Sequence, residues 1–289
     1  MKKGPNIIRV DSLSSPCLDP YVRLTGAQMR SKLEPERAIF IAESPTVIEV
    51  ALDAGCVPLS LLCDEKLING DVKRIIDRLA EYPTVDGEGI PIYVGDGELL
   101  RDITGFELTR GALAEMRRPE PKKLGEVLEN ATRVAVLEEI ADATNVGAIF
   151  RSAAALGIDA VLLTPTACDP LSRRAVRVSM GTALMIPFAK IGEGQDWCRT
   201  GIPYLRSMGF TTAAMALTDE SVSLEDERVK SAEKLAIILG TEGTGLKRET
   251  VAACDLTVKI PMTRGVDSLN VAASAAIAFY ETGKTREFR

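Results

Sequence analysis

Six short apolar runs recur through the C-terminal half of this 289-residue chain, at 133–137, 160–163, 184–188, 211–217, 235–239 and 256–260. Helical stretches lie between them, including 146–155 and 197–208. The runs are continuous rather than alternating, which is how strands read when both faces of their sheet are covered. Strands and helices taking turns in this way predict an α/β fold with a parallel-rich sheet and helices on both faces.

The N-terminal half reads as mixed α/β. It offers a helix at 21–33, a strand at 38–42 and a helix at 45–54 with Ser44 as N-cap and Pro45 at its first position. A strand at 57–63, a helix at 72–79 and a strand at 90–94 follow. Short strands alternating with helices suggest a compact three-layer domain. The segment Arg117-Arg118-Pro119-Glu120-Pro121-Lys122-Lys123 carries two prolines and four cations. Such a segment does not easily build a core and reads as a linker. The expected division is a domain at 1–120, a linker at 121–129 and a second domain at 130–289.

Composition removes several classes of chemistry. The chain has no histidine, so no Ser-His-Asp triad, Cys-His pair or histidine general base can exist. The six cysteines, Cys17, Cys56, Cys63, Cys168, Cys198 and Cys254, form no C-x-x-C pair. A zinc site is not expected, and buried reduced thiols in a cytoplasmic protein are. No apolar run of about 18 residues is present to span a membrane. Met1-Lys2-Lys3 leads into Gly4-Pro5-Asn6 rather than an apolar signal region, so secretion is not expected. Net charge is −6, made of −5 in residues 1–130 and −1 in 131–289. That total argues mildly against a nucleic-acid partner, but charge distribution governs phosphate binding more than the sum does. Two basic clusters stand out, Arg117/Arg118/Lys122/Lys123 and Arg173/Arg174/Arg177. Each reads equally as a solvated surface.

Three segments at strand ends carry polar groups that suit a ligand. Asn145-Val146-Gly147-Ala148-Ile149-Phe150-Arg151 opens a helix, with Asn145 expected at the N-cap. From there Asn145 and Arg151 could reach one cleft, although six residues do not share a helix face. Leu239-Gly240-Thr241-Glu242-Gly243-Thr244-Gly245-Leu246 follows a strand, and its glycines allow close backbone approach. It is not a Walker A loop, because Leu246 stands where lysine is required, and its G-x-x-G-x-G spacing is not the dinucleotide fingerprint. Ile260-Pro261-Met262 and Asp267-Ser268-Leu269-Asn270-Val271-Ala272 join a strand to an apolar helix. Hydroxyl, amide and free helix N–H groups converge there. Taken singly, each segment is also an ordinary cap, turn or surface.

Together and in this order, the three resemble the signature motifs of the SpoU/TrmH family of RNA ribose 2′-O-methyltransferases, within the SPOUT superfamily. The resemblance covers residues 130–289. It is weaker upstream, where Phe40-Ile41-Ala42-Glu43-Ser44 and the helix after it look like the family's small substrate-recognition module. Ser44 stands where many members have glycine. Thr109-Arg110-Gly111-Ala112-Leu113-Ala114 looks like the family's joining segment, with different side chains.

The resemblance implies a deep trefoil knot built from 235–246 and from 256 to the helix after Asn270, which general topology rules would not predict. It implies S-adenosylmethionine as cofactor, with Gly240, Ile260 and Leu269 at the positions that hold its adenine. It implies methyl transfer to a ribose 2′-hydroxyl of rRNA or tRNA, rRNA favoured, and a homodimer through the knotted domain. Arg151 matches the family's invoked general base. A guanidinium with a pKa above about 12 serves better as a stabiliser of the developing alkoxide and a clamp on the adjacent phosphate. Asn145, Glu242, Ser268 and Asn270 would position Arg151 and the ribose, with no metal required. The alternatives are a non-catalytic RNA-binding or assembly factor of the same fold, and a nucleotide-binding α/β protein using the glycine loop for phosphates.

Overall fold

In the computed structural model, the structure describes residues 5–31, 34, 37–82, 89–98, 100, 111–194 and 196–283. Leu33, Thr109 and Arg110, which belong to expected segments, lie outside them. The chain forms two compact units: Met1–Glu120 with Leu171–Leu184, and Pro121–Pro170 with Met185–Arg289. A cut at the linker does not anticipate that 171–184 joins the first unit.

The first unit holds a five-stranded sheet of β1 (Asn6–Arg9), β2 (Ile39–Glu43), β3 (Pro58–Asp64), β4 (Pro91–Gly95) and β5 (Ala112–Arg117), in the order β1-β4-β3-β5-β2. Strand β5 runs antiparallel to both β2 and β3. This places 112–114 of the expected joining segment, and Arg117 of the expected linker, in the first unit's sheet. The apolar run is broken by Glu115, whose Oε2 accepts from Ser60 Oγ at 2.7 Å; Ser60 Oγ in turn meets Tyr21 Oη at 2.6 Å. Burial pushes the Glu115 carboxyl above its ordinary value, against the pull of the Ser60 hydroxyl. On the same sheet face Leu18, Tyr21, Ile41, Leu62 and Leu113 cluster.

The expected helix 21–33 is two helices, Asp19–Val22 and Gly26–Arg30, because Thr25 caps the second through a reciprocal box with Gln28. Helix Pro45–Asp53 starts as predicted, with Ser44 Oγ accepting from Val47 N at 3.5 Å. Ser44 sits at φ 90°. That conformation favours glycine and costs a serine on the order of 1 kcal/mol. The basic cluster at 173–177 lies in the helix Arg173–Val178, where Arg173 Nε and Arg177 Nη1 donate to Glu43 at 2.9 and 3.1 Å. Two of its three arginines thus pair within the unit.

The second unit holds seven strands: β6 (Arg133–Leu137), β7 (Ala160–Leu163), β8 (Phe188–Lys190), β9 (Thr211–Met215), β10 (Val222–Ser223), β11 (Leu235–Leu239) and β12 (Leu256–Lys259). Their order is β10-β12-β9-β11-β6-β7-β8, and every pairing is parallel. The run at 184–188 is not a strand. Residues Thr182–Leu184 form a 3-10 turn, and the strand begins at Phe188 after Pro187, whose missing N–H cannot join a ladder. Within the expected linker 121–129, Leu124–Leu128 is a helix with Val127 and Leu128 buried.

Successive residues of a strand point to opposite faces. Val134, Val136, Ala160, Leu162, Ala236 and Ile238 face one layer, which includes Leu128, Trp197, Ile202 and Leu205. Ala135, Leu137, Val161 and Ile237 face the other. There the helices Ala143–Ala155 and Val271–Thr282 pack on each other and on β7 and β11. Val146, Ile149, Phe150 and Ala153 are all buried at helical spacing. Fully burying a side chain of this size is worth about 1.5–3 kcal/mol, so this stripe is what holds the helix to the sheet. Among the described residues no helix is long and apolar enough to cross a membrane.

Candidate active site

All seven strands of the second sheet are parallel, so their C-terminal ends share one edge. Open α/β sheets bind ligands in the crevice outside that edge. Here the edge carries a cavity of about 910 Å³, lined by the ends of β9, β11 and β12, the glycine loop and residues 266–271. Gly240, Glu242, Ile260, Ser268, Leu269 and Asn270 all line it; Asn145 and Arg151 do not.

The glycine loop folds back over its own start. Gly245 N donates to Thr241 O at 3.1 Å, and the hydroxyls of Thr241 and Thr244 meet at 2.6 Å. A Cβ on Gly240 would lie 2.4 Å from the Gly245 carbonyl carbon. Glycine is therefore required by the loop itself, independently of any ligand. Gly243 and Gly245 take positive φ, 88° and 66°.

Asn270 does two jobs at the head of helix Val271–Thr282. Its Oδ1 accepts from Ala272 N and Ala273 N at 2.9 and 3.3 Å, making it the N-cap. Its Nδ2 donates to Asn145 Oδ1 at 3.1 Å and to Glu242 Oε1. One amide thus ties the three motif segments together. Ser268 instead donates to its neighbour Asp267 at 3.2 Å.

Asn145 is not an N-cap. Asp142 caps the helix three residues earlier, accepting from Thr144 N at 2.5 Å, and Asn145 lies inside the first turn, buried. Its Oδ1 points at Asn270 all the same, because the helices Ala143–Ala155 and Val271–Thr282 are packed together. Arg151 lies further along the helix, exposed. The structure therefore brings Asn145, Glu242 and Asn270 together and leaves Arg151 apart from them.

The sequence reading missed two features. The cavity walls carry large apolar side chains open to solvent: Leu217 at 62%, Val266 at 53% and Leu269 at 40% exposure. Side chains of this size are left exposed in one concavity where something is meant to cover them. The second feature is Glu138, 1% exposed, directly after β6. It accepts from Trp197 Nε1 and Thr250 Oγ1, both at 2.5 Å, and from Lys247 N at 2.8 Å. Glu139 takes the Lys247 ammonium at 2.6 Å, and this hydrogen bond holds Lys247 above its ordinary value. The only sequence signal is an acidic pair ending an apolar strand.

All six cysteines are free. Burial pushes Cys56 up to about 11 and Cys63 and Cys254 up to about 12, so these thiols stay protonated near neutrality and are poor nucleophiles. Among the described residues no group of three histidine, cysteine or acidic side chains could hold a metal ion.

A crevice on the carboxyl edge of a parallel sheet, walled by apolar side chains and lined by Glu242 and Asn270, defines an α/β protein that binds a small molecule. Residues 132–280 match the SpoU rRNA Methylase family. An uncharacterised tRNA/rRNA methyltransferase of Mycobacterium bovis is 39% identical over 96% of this chain and 92% of its own. The 23S rRNA (guanosine-2′-O-)-methyltransferase RlmB of Acinetobacter baylyi is 30% identical over 68% of this chain and 80% of its own. The AdoMet-bound rRNA methyltransferase of Sinorhizobium meliloti shares the fold, with a TM-score of 0.75 at 24% identity over 96% and 97% of the two chains. The chain belongs to the SpoU rRNA methylase family and is a methyltransferase.

Proposed function

We propose that this chain transfers a methyl group from S-adenosylmethionine to a ribose 2′-hydroxyl of rRNA or tRNA, rRNA favoured, in the cytoplasm. The observation that carries this is the Asn270 amide. It joins Asn145 and Glu242 at the rim of a cavity whose apolar walls stand open. The cavity fits the cofactor: 910 Å³ is within the range of small-molecule sites, and exposed Leu269 with Ile260 can cover the faces of a purine while backbone groups meet its edge. Gly240, Ile260 and Leu269 would hold the adenine. When bound, the cofactor supplies a methyl group activated by its sulfonium.

The chain's own work is alignment of the ribose and stabilisation of the oxygen that becomes alkoxide. Arg151 supplies the charge, and its planar fork also holds the neighbouring phosphate. Asn145, Glu242, Ser268 and Asn270 orient the reacting groups. The reaction as proposed needs no metal, so EDTA should leave the rate on a prefolded RNA unchanged. The first unit holds the RNA. The passage from 235–246 to 256–270 is the knotted one; the position of β12 beside β9 rather than β11 supports a crossing there.

The active form is a homodimer. Ala273, Ile277 and Tyr280, at i, i+4 and i+7, leave one side of helix Val271–Thr282 exposed, Tyr280 at 75%. A second copy on that side covers it and brings an Arg151 towards a cavity that its own copy's Arg151 does not line. A monomeric mass at micromolar concentration with full activity would refute the dimer.

The deciding experiment maps ribose methylation of rRNA and tRNA in cells with and without the gene, alongside AdoMet calorimetry on the purified protein. One lost 2′-O-methyl mark and specific AdoMet binding are expected. An unchanged map sinks the reading; AdoMet binding with an unchanged map would instead favour a non-catalytic RNA-binding factor.

A further inference from the structure

Glu138 has no part in the chemistry above, yet it touches both ends of the glycine loop. Its backbone N–H donates to Leu239 O at 2.8 Å, just before the loop. Its Oε1 accepts from Lys247 N at 2.8 Å, just after the loop. Between these points the hydrogen bonds of Thr241, Thr244 and Gly245 are internal to the loop, and the Glu242 bond to Asn270 reaches a helix head rather than the sheet. The other carboxylate oxygen is held by Trp197 Nε1 and Thr250 Oγ1. The next residue, Glu139, takes the Lys247 ammonium and anchors its own N–H on Thr164 Oγ1 at 3.0 Å. The same stretch leads through Asp142 into the helix that carries Asn145.

Resting on the assignment of the cavity to S-adenosylmethionine, we infer that Glu138 is the positioning residue of the cofactor loop. It closes the loop at both ends and sets the Gly240–Glu242 arm against the strand that feeds the Asn145 helix. The carboxylate is needed for a stereochemical reason. The indole N–H and the Lys247 amide can only donate, and they reach different oxygens. Glutamine has one acceptor oxygen, so one of these donors must face its NH2 group. The anchor is released, or the Trp197 bond is lost.

The test measures AdoMet affinity by calorimetry, with KM and kcat, below the unfolding midpoint of every variant. In Glu138→Gln, Kd and KM for AdoMet rise about tenfold, the size of one hydrogen bond to a charged group. The kcat at saturating AdoMet falls much less. Trp197→Phe removes a donor on the other oxygen and leaves Oε1 to accept from Lys247 N, so it lowers stability while Kd changes much less than in Glu138→Gln. Trp197 is the chain's only tryptophan, so its emission in the wild type and in Glu138→Gln reports whether its own bond survives. If Glu138→Gln does not fold, the pair Lys247→Ala and Lys247→Pro replaces it. Both delete the ammonium, but only proline deletes the N–H, and Lys247 already sits at φ −61°. Lys247→Pro should then bind AdoMet about tenfold more weakly than Lys247→Ala. Wild-type affinity in Glu138→Gln with Trp197 emission unchanged, or equal affinity in the two Lys247 variants, overturns the inference while leaving the cavity's assignment standing; where the emission shows the Trp197 bond lost and Lys247 N still held, the two Lys247 variants decide. A wild-type protein that does not bind AdoMet removes both.

Discussion

The two edges of the seven-stranded sheet use similar residues to opposite ends. At the edge where the strands begin, polar groups are spent on one another. Arg133, 6% exposed, donates from Nε to Thr282 O at 2.7 Å, from Nη1 to Glu233 O at 2.9 Å and from Nη2 to Ala232 O at 2.8 Å. One aspartate device occurs twice. Asp159, just before β7, accepts from Thr132 N and Oγ1; Asp255, just before β12, accepts from Thr212 N and Oγ1. At the edge where the strands end, capacity is left over. Glu242 is exposed and meets Asn270 through one oxygen, large apolar side chains stand open around a cavity, and on the helix that leaves this edge Arg151 is exposed. Saturation marks the structural edge and surplus marks the site, whichever residue types are used.

The comparison is tested hardest on Leu269. Leu269→Arg should abolish AdoMet binding by filling the cavity. At 40% exposure it should change stability by less than about 1 kcal/mol. Calorimetry with a parallel urea titration reads both. Next comes Arg151→Ala, which should slow single-turnover methylation at saturating AdoMet about 10²–10³-fold, roughly 3–4 kcal/mol. AdoMet affinity should be unchanged and stability altered by under about 0.5 kcal/mol; lysine should not restore the rate, since a point charge lacks the planar fork. Wild-type turnover in a folded Arg151→Ala protein would break the contrast with Arg133. The mirror experiment is Arg133→Met. It strands the buried Thr282 carbonyl and the part-buried carbonyls of Thr132, Ala232 and Glu233, so stability should fall by about 2–3 kcal/mol, with AdoMet affinity intact in the folded fraction.

Asn270→Asp separates two jobs of one side chain. The carboxylate keeps the helix cap, so stability should change by less than about 1 kcal/mol. The lost NH2 and the new charge beside Glu242 should cut turnover about tenfold. A rate loss accompanied by a matching stability loss would mean Asn270 is only a cap.

The smallest effect is a pH dependence at the structural edge. Burial pushes the Asp255 carboxyl up, but hydrogen bonds from Thr212 and Arg206 prevail and hold it below its ordinary value. A carboxylate depressed in the folded state contributes stability above its unfolded pKa of about 3.9, and this is lost as pH falls through the folded value. Urea titrations below about pH 4 should therefore show a loss that Asp255→Asn lacks, of under about 1 kcal/mol because the group is partly exposed.

The seven-stranded sheet was legible where strands are apolar on both faces. The runs 133–137, 160–163 and 235–239 match β6, β7 and β11 residue for residue. Strand β5 was not, because Glu115 breaks its pattern and its partner Ser60 lies 55 positions away. Six of the candidate residues line one cavity because the glycine loop and Ile260 follow strand ends and Ser268 to Asn270 lead into the next helix, where loops carry function. Asn145 reaches Asn270, but its assigned place at the N-cap was wrong, since Asp142 caps that helix three residues earlier. Glu138 escaped because an acid after an apolar run looks like any exposed turn until its three donors are known.

Local pattern alone determined that this chain builds a parallel sheet with helices on both sides, lacks histidine chemistry and places three polar segments at strand ends. Which of those polar groups saturate each other and which remain available was decided by tertiary structure. Residue periodicity fixes the face a side chain occupies; it does not say what comes opposite. Asn270 reaches Asn145 across 125 positions and Glu242 across 28, and Lys247 reaches Glu138 across 109. Contacts at such separations exist only once neighbouring strands have brought their ends together.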